Sequence, residues 1–335
     1  MAPRSQKPYS LLGRLIRFAL LALLAPATGL EIGTVHAFAP ARPAVNPSQA
    51  TPLVPPAPAL PSGARSFLLR VLTYNVKGVF TAGDSARFSD IGRLLAERRK
   101  NGDAPHVVAI QEAFGDRTLP VAQLSGYPYR HFGPPAGAGK ISSGLIFMSE
   151  FPIERSATHL YTQCTSWDCF ANKGAQYIRV SIPGAPSPIE VFNTHMNSDP
   201  DTDFWTPIEE AQDMRFSQAQ ELRDFASDVR AGHFPVIFLG DFNFDRQGYD
   251  YESFVGFLMV RDAMDQCAQS PASCQGAAAA GAFHRTAIDH HFVDDGRSPR
   301  VSVTPVSFAR RFAEPYQGRM LSDHDGVEIT YRVTW

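Results

Sequence analysis

One large α/β domain, preceded by an export leader and a linker, is the fold class that three observations predict. Apolar runs of strand length recur from residue 66 onward, helical segments alternate with them, and about 270 residues are available. That length is generous for one core yet within range for one large domain.

Taken in order, Arg4, Lys7, Arg14 and Arg17 precede an apolar run at 18–24, and Val35-His36-Ala37 offers compact residues for cleavage. Residues 1–37 are therefore expected to be a secretory signal peptide. A membrane anchor competes with this reading, but Pro26 closely follows the run, which falls short of the roughly 20 apolar residues a spanning helix needs. Residues 38–65 read as an extended linker, because eight of the chain's 27 prolines fall within 39–63 among alanines and almost no charge. The folded domain is expected at 66–335.

Removing residues 1–37 takes away four of 31 basic and one of 33 acidic residues, leaving 27 against 32. That mild acidity gives no support for a broad, sequence-independent grip on nucleic acid, which rests on basic surface. The four cysteines fall in two close pairs. In an exported chain disulfides are expected, and Cys164 with Cys169 plus Cys267 with Cys274 is the simplest of three connectivities. Their C-x4-C and C-x6-C spacings fit a zinc site poorly.

Within the domain, strands are predicted at 67–74, 107–110, 144–148, 189–194 and 236–239, and again near 288, 301 and 327. One helix is predicted over 88–99. Another is predicted to begin at Thr206, where Thr206 and Glu209 would form a capping box, Pro207 would take the first helical position and Gly232 would end it. The alanine-rich stretch 274–281 reads as a loop.

Polar residues stand at or just after several of these strand ends, where α/β proteins expose reactive groups. Asn75 follows 71–74, Glu112 follows 107–111, His195 follows 191–194 and Asp241 follows 236–240. Each alone has a plain reading: a turn asparagine, a surface acid, a strand-edge histidine, an Asx turn at Gly240-Asp241-Phe242-Asn243. Their joint order carries the inference.

In the order Asn75, Glu112, His195, Asp241 with Asn243, Asp289, and Asp323 with His324, the chain resembles the endonuclease/exonuclease/phosphatase superfamily, also called deoxyribonuclease I-like. The resemblance spans nearly all of the domain. It implies a four-layered α/β/β/α sandwich, two mostly antiparallel sheets face to face with helices outside, and a metal-dependent phosphoric diester hydrolase.

Attack of water on a phosphodiester builds charge on the nonbridging and departing oxygens, so the site needs a hard cation, a proton acceptor and oriented donors. Glu112 is the natural anionic ligand, Asn75 a neutral oxygen donor, and Asp323 an assistant to the metal or to His324. Oxygen ligands without a His/Cys cluster point to Mg²⁺, with Mn²⁺ or Ca²⁺ as alternatives and one ion or two. His324 is the candidate general base, because imidazole titrates near neutral pH; the resemblance makes Asp289 its partner. Asp241 and Asn243 would orient the attacking water and donate to a phosphoryl oxygen, with His195 on the phosphate or the departing group. His290 and His291 follow Asp289 directly but point to opposite faces of a strand, so at most one shares the cleft. His284, His233 and His159 lack a partner pattern and are expected at the surface.

Ala171-Asn172-Lys173-Gly174 resembles the bacterial secreted neutral sphingomyelinases, in which Lys173 would offer a cation to a phosphate; a solvated turn lysine is the competing reading. Asn197, within 193–199, is a further candidate substrate contact, although that stretch and Arg215-Phe216-Ser217-Gln218 speak to the fold more than to the substrate. The same group commonly presents an exposed aromatic hairpin just before the final Asp-His. Here residues 305–320 hold Phe308, Phe312 and Tyr316 around Arg310 and Arg311, with Ser307 standing where a paired aromatic is usual; the competing reading is that Phe308 and Phe312 pack under the loop. The expectation is a secreted or periplasmic, monomeric sphingomyelinase C-like enzyme with peripheral membrane contact and a phospholipid or other phosphodiester substrate. An extracellular nuclease acting on nucleic acid is the alternative, followed by a phosphatase or a non-catalytic exported binding module.

Overall fold

The computed structural model describes residues 65–79, 85–200, 206–232, 234–296 and 301–335. The expected leader, the linker up to residue 64 and His233 lie outside the described residues. Among the described residues, no helix is long and apolar enough to cross a membrane.

Two six-stranded sheets carry the domain. The first runs β11 (Ser302–Arg311), β12 (Gly326–Thr334), β1 (Ser66–Asn75), β2 (Val107–Gln111), β4 (Ile146–Ser149) and β3 (Tyr129–Phe132). The second runs β5 (Ile153–Leu160), β6 (Gly174–Val180), β7 (Ile189–His195), β8 (Val236–Asp241), β10 (Asp289–Asp294) and β9 (Arg261–Asp262). Most neighbours are antiparallel, but each sheet holds one parallel pair, β1 with β2 and β7 with β8. A parallel pair needs a crossover, supplied by helices α1 (Ala86–Lys100) and α3 (Ile208–Val229); α2 is the short helix Pro120–Ser125.

The period-two alternation of strand side chains produces the layering. Leu69, Val71, Val191, Ile237, Leu239 and Ile329 fill the space between the sheets. Their neighbours Leu72, Tyr74 and Val108 turn outward to pack on Phe88, Ile91 and Leu95 of α1. On the other side Phe192 and Phe238 meet Leu222 and Phe225 of α3. With both faces covered, the central strands read as continuous apolar runs, and the four-layered sandwich is the observed architecture.

Three local expectations fail for identifiable reasons. The capping box at Thr206 and Glu209 is not formed: α3 starts at Ile208, with Pro207 extended at the cap position and no side chain capping the helix. Residues 277–283 are helix α6 (Ala277–Phe283), not loop, as alanine's high helix propensity favours. The Cys267–Cys274 disulfide fastens it to α5 (Ala263–Ala268), which follows α4 (Tyr249–Leu258). Finally, the region 305–320 is not an exposed aromatic hairpin. Phe308 is buried against Phe283, Phe312 stacks on Tyr74 at 4.7 Å, and Arg310 and Arg311 pair with Asp325 and Glu328.

The interior also holds ionisable groups that tie stability to pH. Burial lowers the imidazoles of His106 and His291 to about 4. Burial alone would raise Glu328, but Arg98 (2.7 Å) and Arg311 (2.8 Å) outweigh it and hold the carboxyl below its usual range. Between pH 6.5 and about 4 the unfolded chain binds protons that folded His106 and His291 refuse, so stability falls as pH falls through that window. The contribution of Glu328 is present above its unfolded pKa near 4.5 and is lost below it. Asp241, raised to about 7 by burial first and Asp289 second, works the other way in this window, so the His291 contribution, about 3 kcal/mol at most, is read by difference: the calorimetric midpoint of the unmodified chain should fall more steeply from pH 6.5 to 4 than that of His291→Gln. Equal slopes contradict this assignment.

Candidate active site

Strand ends from both sheets meet at one edge of the sandwich. The β7–β8 register sets His195 beside Asp241, and the β10–β8 register sets Asp289 beside Asp241. His195, Asp241 and Asp289 thus form a row across three neighbouring strands. Close packing under this row requires Gly240, whose backbone φ is 144° and where an added Cβ would lie 2.1 Å from the Thr194 carbonyl oxygen. In the other sheet, Asn75 sits beside Gln111, and Glu112 follows with a left-handed φ of 58°.

Asn75 joins the two sheets. Its Nδ2 donates to Glu112 Oε1 at 3.0 Å and to Asp241 Oδ2 at 2.8 Å, while its Oδ1 accepts from the Lys77 backbone N–H at 2.9 Å. The expected neutral oxygen ligand thus presents its nitrogen, not its oxygen, to the carboxylates. Ser322 Oγ donates to the Asn75 carbonyl at 2.7 Å and so ties in the loop that carries His324. Buried Arg87 strengthens the same junction by donating to the carbonyls of Val76, Lys77 and Leu321.

His324 Nδ1 lies 2.7 Å from Asp289 Oδ2, and its Nε2 lies 3.9 Å from Asp241 Oδ2. A carboxylate can only accept, so Nδ1 carries the proton and Nε2 is the atom that exchanges one. Burial pulls the ring's pKa down, but the carboxylates of Asp289, Asp241 and Asp323 outweigh it and raise it to about 10. Burial first, and Asp289 second, push Asp241 up to about 7. Asp289 keeps one oxygen, Oδ1, buried without a hydrogen-bond partner among the described residues.

His195 is held neutral, first by burial and second by the Lys173 ammonium. Lys173 Nζ donates to His195 Nε2 at 3.0 Å and to the Met196 carbonyl at 2.8 Å, and pairs with Asp168 at 2.7 Å. The ring proton therefore belongs on Nδ1, which is buried without a partner among the described residues. Asn243 has a left-handed φ of 55°; its N–H caps Asp241 Oδ1 at 3.0 Å and its Nδ2 donates to the Met196 carbonyl at 3.0 Å.

Two expected site residues stand apart. Asp323 is paired with Lys77 at the half-exposed rim and, among the described residues, belongs to none of the clusters able to hold a metal. Asn197 is buried, accepting from the Thr165 N–H at 3.0 Å and donating to the Ser198 carbonyl at 2.9 Å, so its amide fixes turns. Conversely, Lys77, Arg87 and Asp168 serve the site unforeseen. As lone charges in or beside loops they resemble solvated residues, and only the short Cys164–Cys169 loop hinted that Asp168 is held in place.

Among the described residues, Glu112, His195 and Asp241 offer ligand atoms within 4.8 Å of one another, as do Asp241, Asp289 and His324. The first cluster fits a hard cation. It sets carboxylates from opposite sheets side by side, and the raised pKa of Asp241, caused by burial first and Asp289 second, marks a carboxylate whose charge a cation would stabilise. A third cluster, Asp262, His284 and His290, is structural. His284, expected at the surface, is buried and donates to Asp262 at 2.8 Å, Arg246 approaches its other nitrogen at 3.3 Å, and Asp262 caps α5. His290 and His291 do face opposite ways, toward Phe244 and Tyr331 respectively. Beside Glu112 opens a groove of about 570 Å³, lined by Gly78, Ala113, Phe114, Phe132, Ile141 and Phe170 among others.

A sphingomyelinase of Mycobacterium tuberculosis is 26% identical over 279 residues, covering 78% of this chain and 52% of that protein. The chain thus spans about half the length of this curated relative. A beta toxin mutant from Staphylococcus aureus, solved with bound magnesium ions, superposes with a TM-score of 0.57 at 20% identity, over 78% of this chain and 99% of that one. TDP2 of D. rerio in complex with a single-strand DNA product gives 0.56 at 17% identity, over 79% and 98%. The family model described as endonuclease/exonuclease/phosphatase matches residues 72–324, which include every site residue described above, and the chain belongs to that family.

Proposed function

We propose that this chain is an exported, Mg²⁺-dependent phosphodiesterase that hydrolyses sphingomyelin to ceramide and phosphocholine. The observation that carries the hydrolytic reading is the His324–Asp289 pair, turned toward Asp241 and facing Glu112 across the Asn75 clasp. His324 Nε2 accepts the proton of the attacking water while Asp289 retains the Nδ1 proton and the ring's orientation. Asp241, fixed by Asn75 and by the Asn243 N–H, aligns that water. The new bond joins water oxygen to phosphorus, the bond from phosphorus to the ceramide oxygen breaks, and that oxygen takes up a proton from solvent while His324 returns the proton it accepted to solvent. His195 Nε2, 3.5 Å from Asp241 Oδ2, accepts from Lys173 Nζ at 3.0 Å and so holds the Lys173 charge on the Asp241 side, beside the phosphoryl group. Glu112 and Asp241 would hold a cation, which when bound would supply Lewis-acid stabilisation of the phosphoryl charge, and the magnesium of the Staphylococcus aureus neighbour supports this choice of ion.

The lipid substrate is supported by the sphingomyelinase relative, by the apolar groove beside Glu112 and by the acidic balance of the chain. The nuclease alternative rests on the comparable match to the DNA-bound neighbour. Location outside the cytoplasm, secreted or periplasmic, rests on the basic and apolar pattern of residues 1–37.

Phosphocholine release from sphingomyelin vesicles is expected with Mg²⁺ and is expected to stop with EDTA; nicking of plasmid DNA without phosphocholine release would favour the nuclease. His324→Ala should lower kcat by about 10²–10⁴-fold, and an unchanged rate defeats the mechanism. Asp289 raises the pKa of His324, and the neutral ring is the active form. Asp289→Asn should therefore move the acid limb of the kcat/KM profile to lower pH while reducing its plateau. If the limb stays in place, Asp289 is not the partner of the base.

A further inference from the structure

Of the residues weighed for contact with a lipid surface, Phe308 is buried and Phe312 is half-buried against Tyr74, yet large apolar side chains are exposed elsewhere. Trp167 is 52% exposed and Phe170 51%, and their rings stack at 5.9 Å. Phe132 (50%) and Ile141 (44%) are similarly exposed. Backbone hydrogen bonds join Ile141 to this pair, Ile141 N–H to the Phe170 carbonyl and Asn172 N–H to the Ile141 carbonyl, both 2.9 Å. We propose that the turn Cys164 to Phe170, with Trp167 at its tip and Phe132 and Ile141 beside it, docks the protein on a zwitterionic phosphocholine bilayer. This inference rests on the lipid reading proposed above.

Continuity with the candidate active site is the first support. Phe132, Ile141 and Phe170 flank the groove whose inner end, at Ala113 and Phe114, directly follows Glu112. Phe170 lies three residues before Lys173, which holds His195. Rigidity is the second. The Cys164–Cys169 disulfide closes the turn, Asp168 accepts from Ser198 N–H and Oγ–H and pairs with Lys173, and Thr165 donates to Glu210. Aromatics mounted on so constrained a turn lose little conformational freedom on insertion. Charge is the third. The chain carries 31 basic against 33 acidic residues, and the one acid on the turn is balanced by Lys173. Attraction to anionic lipid therefore does not drive this contact, whereas aromatic rings favour the level of the headgroups and offer π-faces to choline.

The test compares the full chain with Trp167→Ala and Trp167→Phe on two substrates. One is sphingomyelin in phosphatidylcholine vesicles; the other is a short-chain sphingomyelin dissolved below its micellar concentration. Trp167→Ala should lose about tenfold in vesicle cosedimentation and vesicle turnover, keep its rate on the dissolved substrate, and be rescued by Trp167→Phe. Vesicle binding of the unmodified chain should persist when salt is raised to about 0.5 M. Undiminished vesicle binding by Trp167→Ala overturns the proposal. So does an equal loss on both substrates, which would mean that the turn merely supports the site. An unmodified chain that cleaves neither sphingomyelin form, yet cleaves a soluble aryl phosphodiester or DNA, overturns the lipid reading itself and this proposal with it.

Discussion

Everything chemical in this domain depends on one amide. The Asn75 side chain reaches from the end of β1 to carboxylates on both sheets, Glu112 at 3.0 Å and Asp241 at 2.8 Å. Asp241 is buried and Glu112 half-buried, and carboxylates so close are tolerable only where donors or a cation share the space. Beneath this clasp Gln111 donates to Asn193 at 2.7 Å, and Asn193 donates to the Ile110 carbonyl at 3.0 Å, again from sheet to sheet. Polar bridges in an otherwise apolar interior are directional where hydrophobic contacts are not. They set the offset of one sheet on the other, and with it the geometry of every residue in the cleft.

The candidate site is an excess of negative charge managed by position. Asp241 and Asp289 stand side by side, burial and then the Asp289 charge raise Asp241, and both carboxylates hold the proton of His324 strongly. Lys173 balances the opposite flank, and burial first and Lys173 second keep His195 neutral. A ring that binds its proton tightly and one that refuses it thus stand on either side of Asp241, a division of acid and base labour produced by environment alone.

Much of this was readable from residue types. Val71, Val191 and Ile237 announced buried strands because sheets covered on both faces need apolar residues throughout, and Asn75, Glu112, His195 and Asp241 stood out as polar residues at the ends of such runs, with His324 marked by the Ser322-Asp323-His324 motif. What was hidden depends on partners far away in sequence. Phe308 and Phe312 look like an exposed hairpin until Phe283 and Tyr74 are known to cover them. Arg87 looks like an ordinary helical charge until its guanidinium is found gripping three loop carbonyls. The helix at Ala277–Phe283 was missed because its amphipathic signal is masked by alanine, which packs by being small. The failure of Thr206 to cap α3 reflects the extended Pro207 that follows it, which pushes the start of the helix one residue on.

The paired crossovers have a further consequence. Each sheet contains one parallel pair bridged by a helix, β1–α1–β2 and β7–α3–β8, and each pair ends in site residues: Asn75 and Glu112 in one, His195 and Asp241 in the other. The domain is, in effect, two half-sites presented by matching units and brought face to face. Neither unit holds a working constellation by itself, so competence belongs to the seam. A perturbation that lets the layers slip past each other could silence the protein while leaving each layer, and its spectroscopic signature of folding, essentially whole.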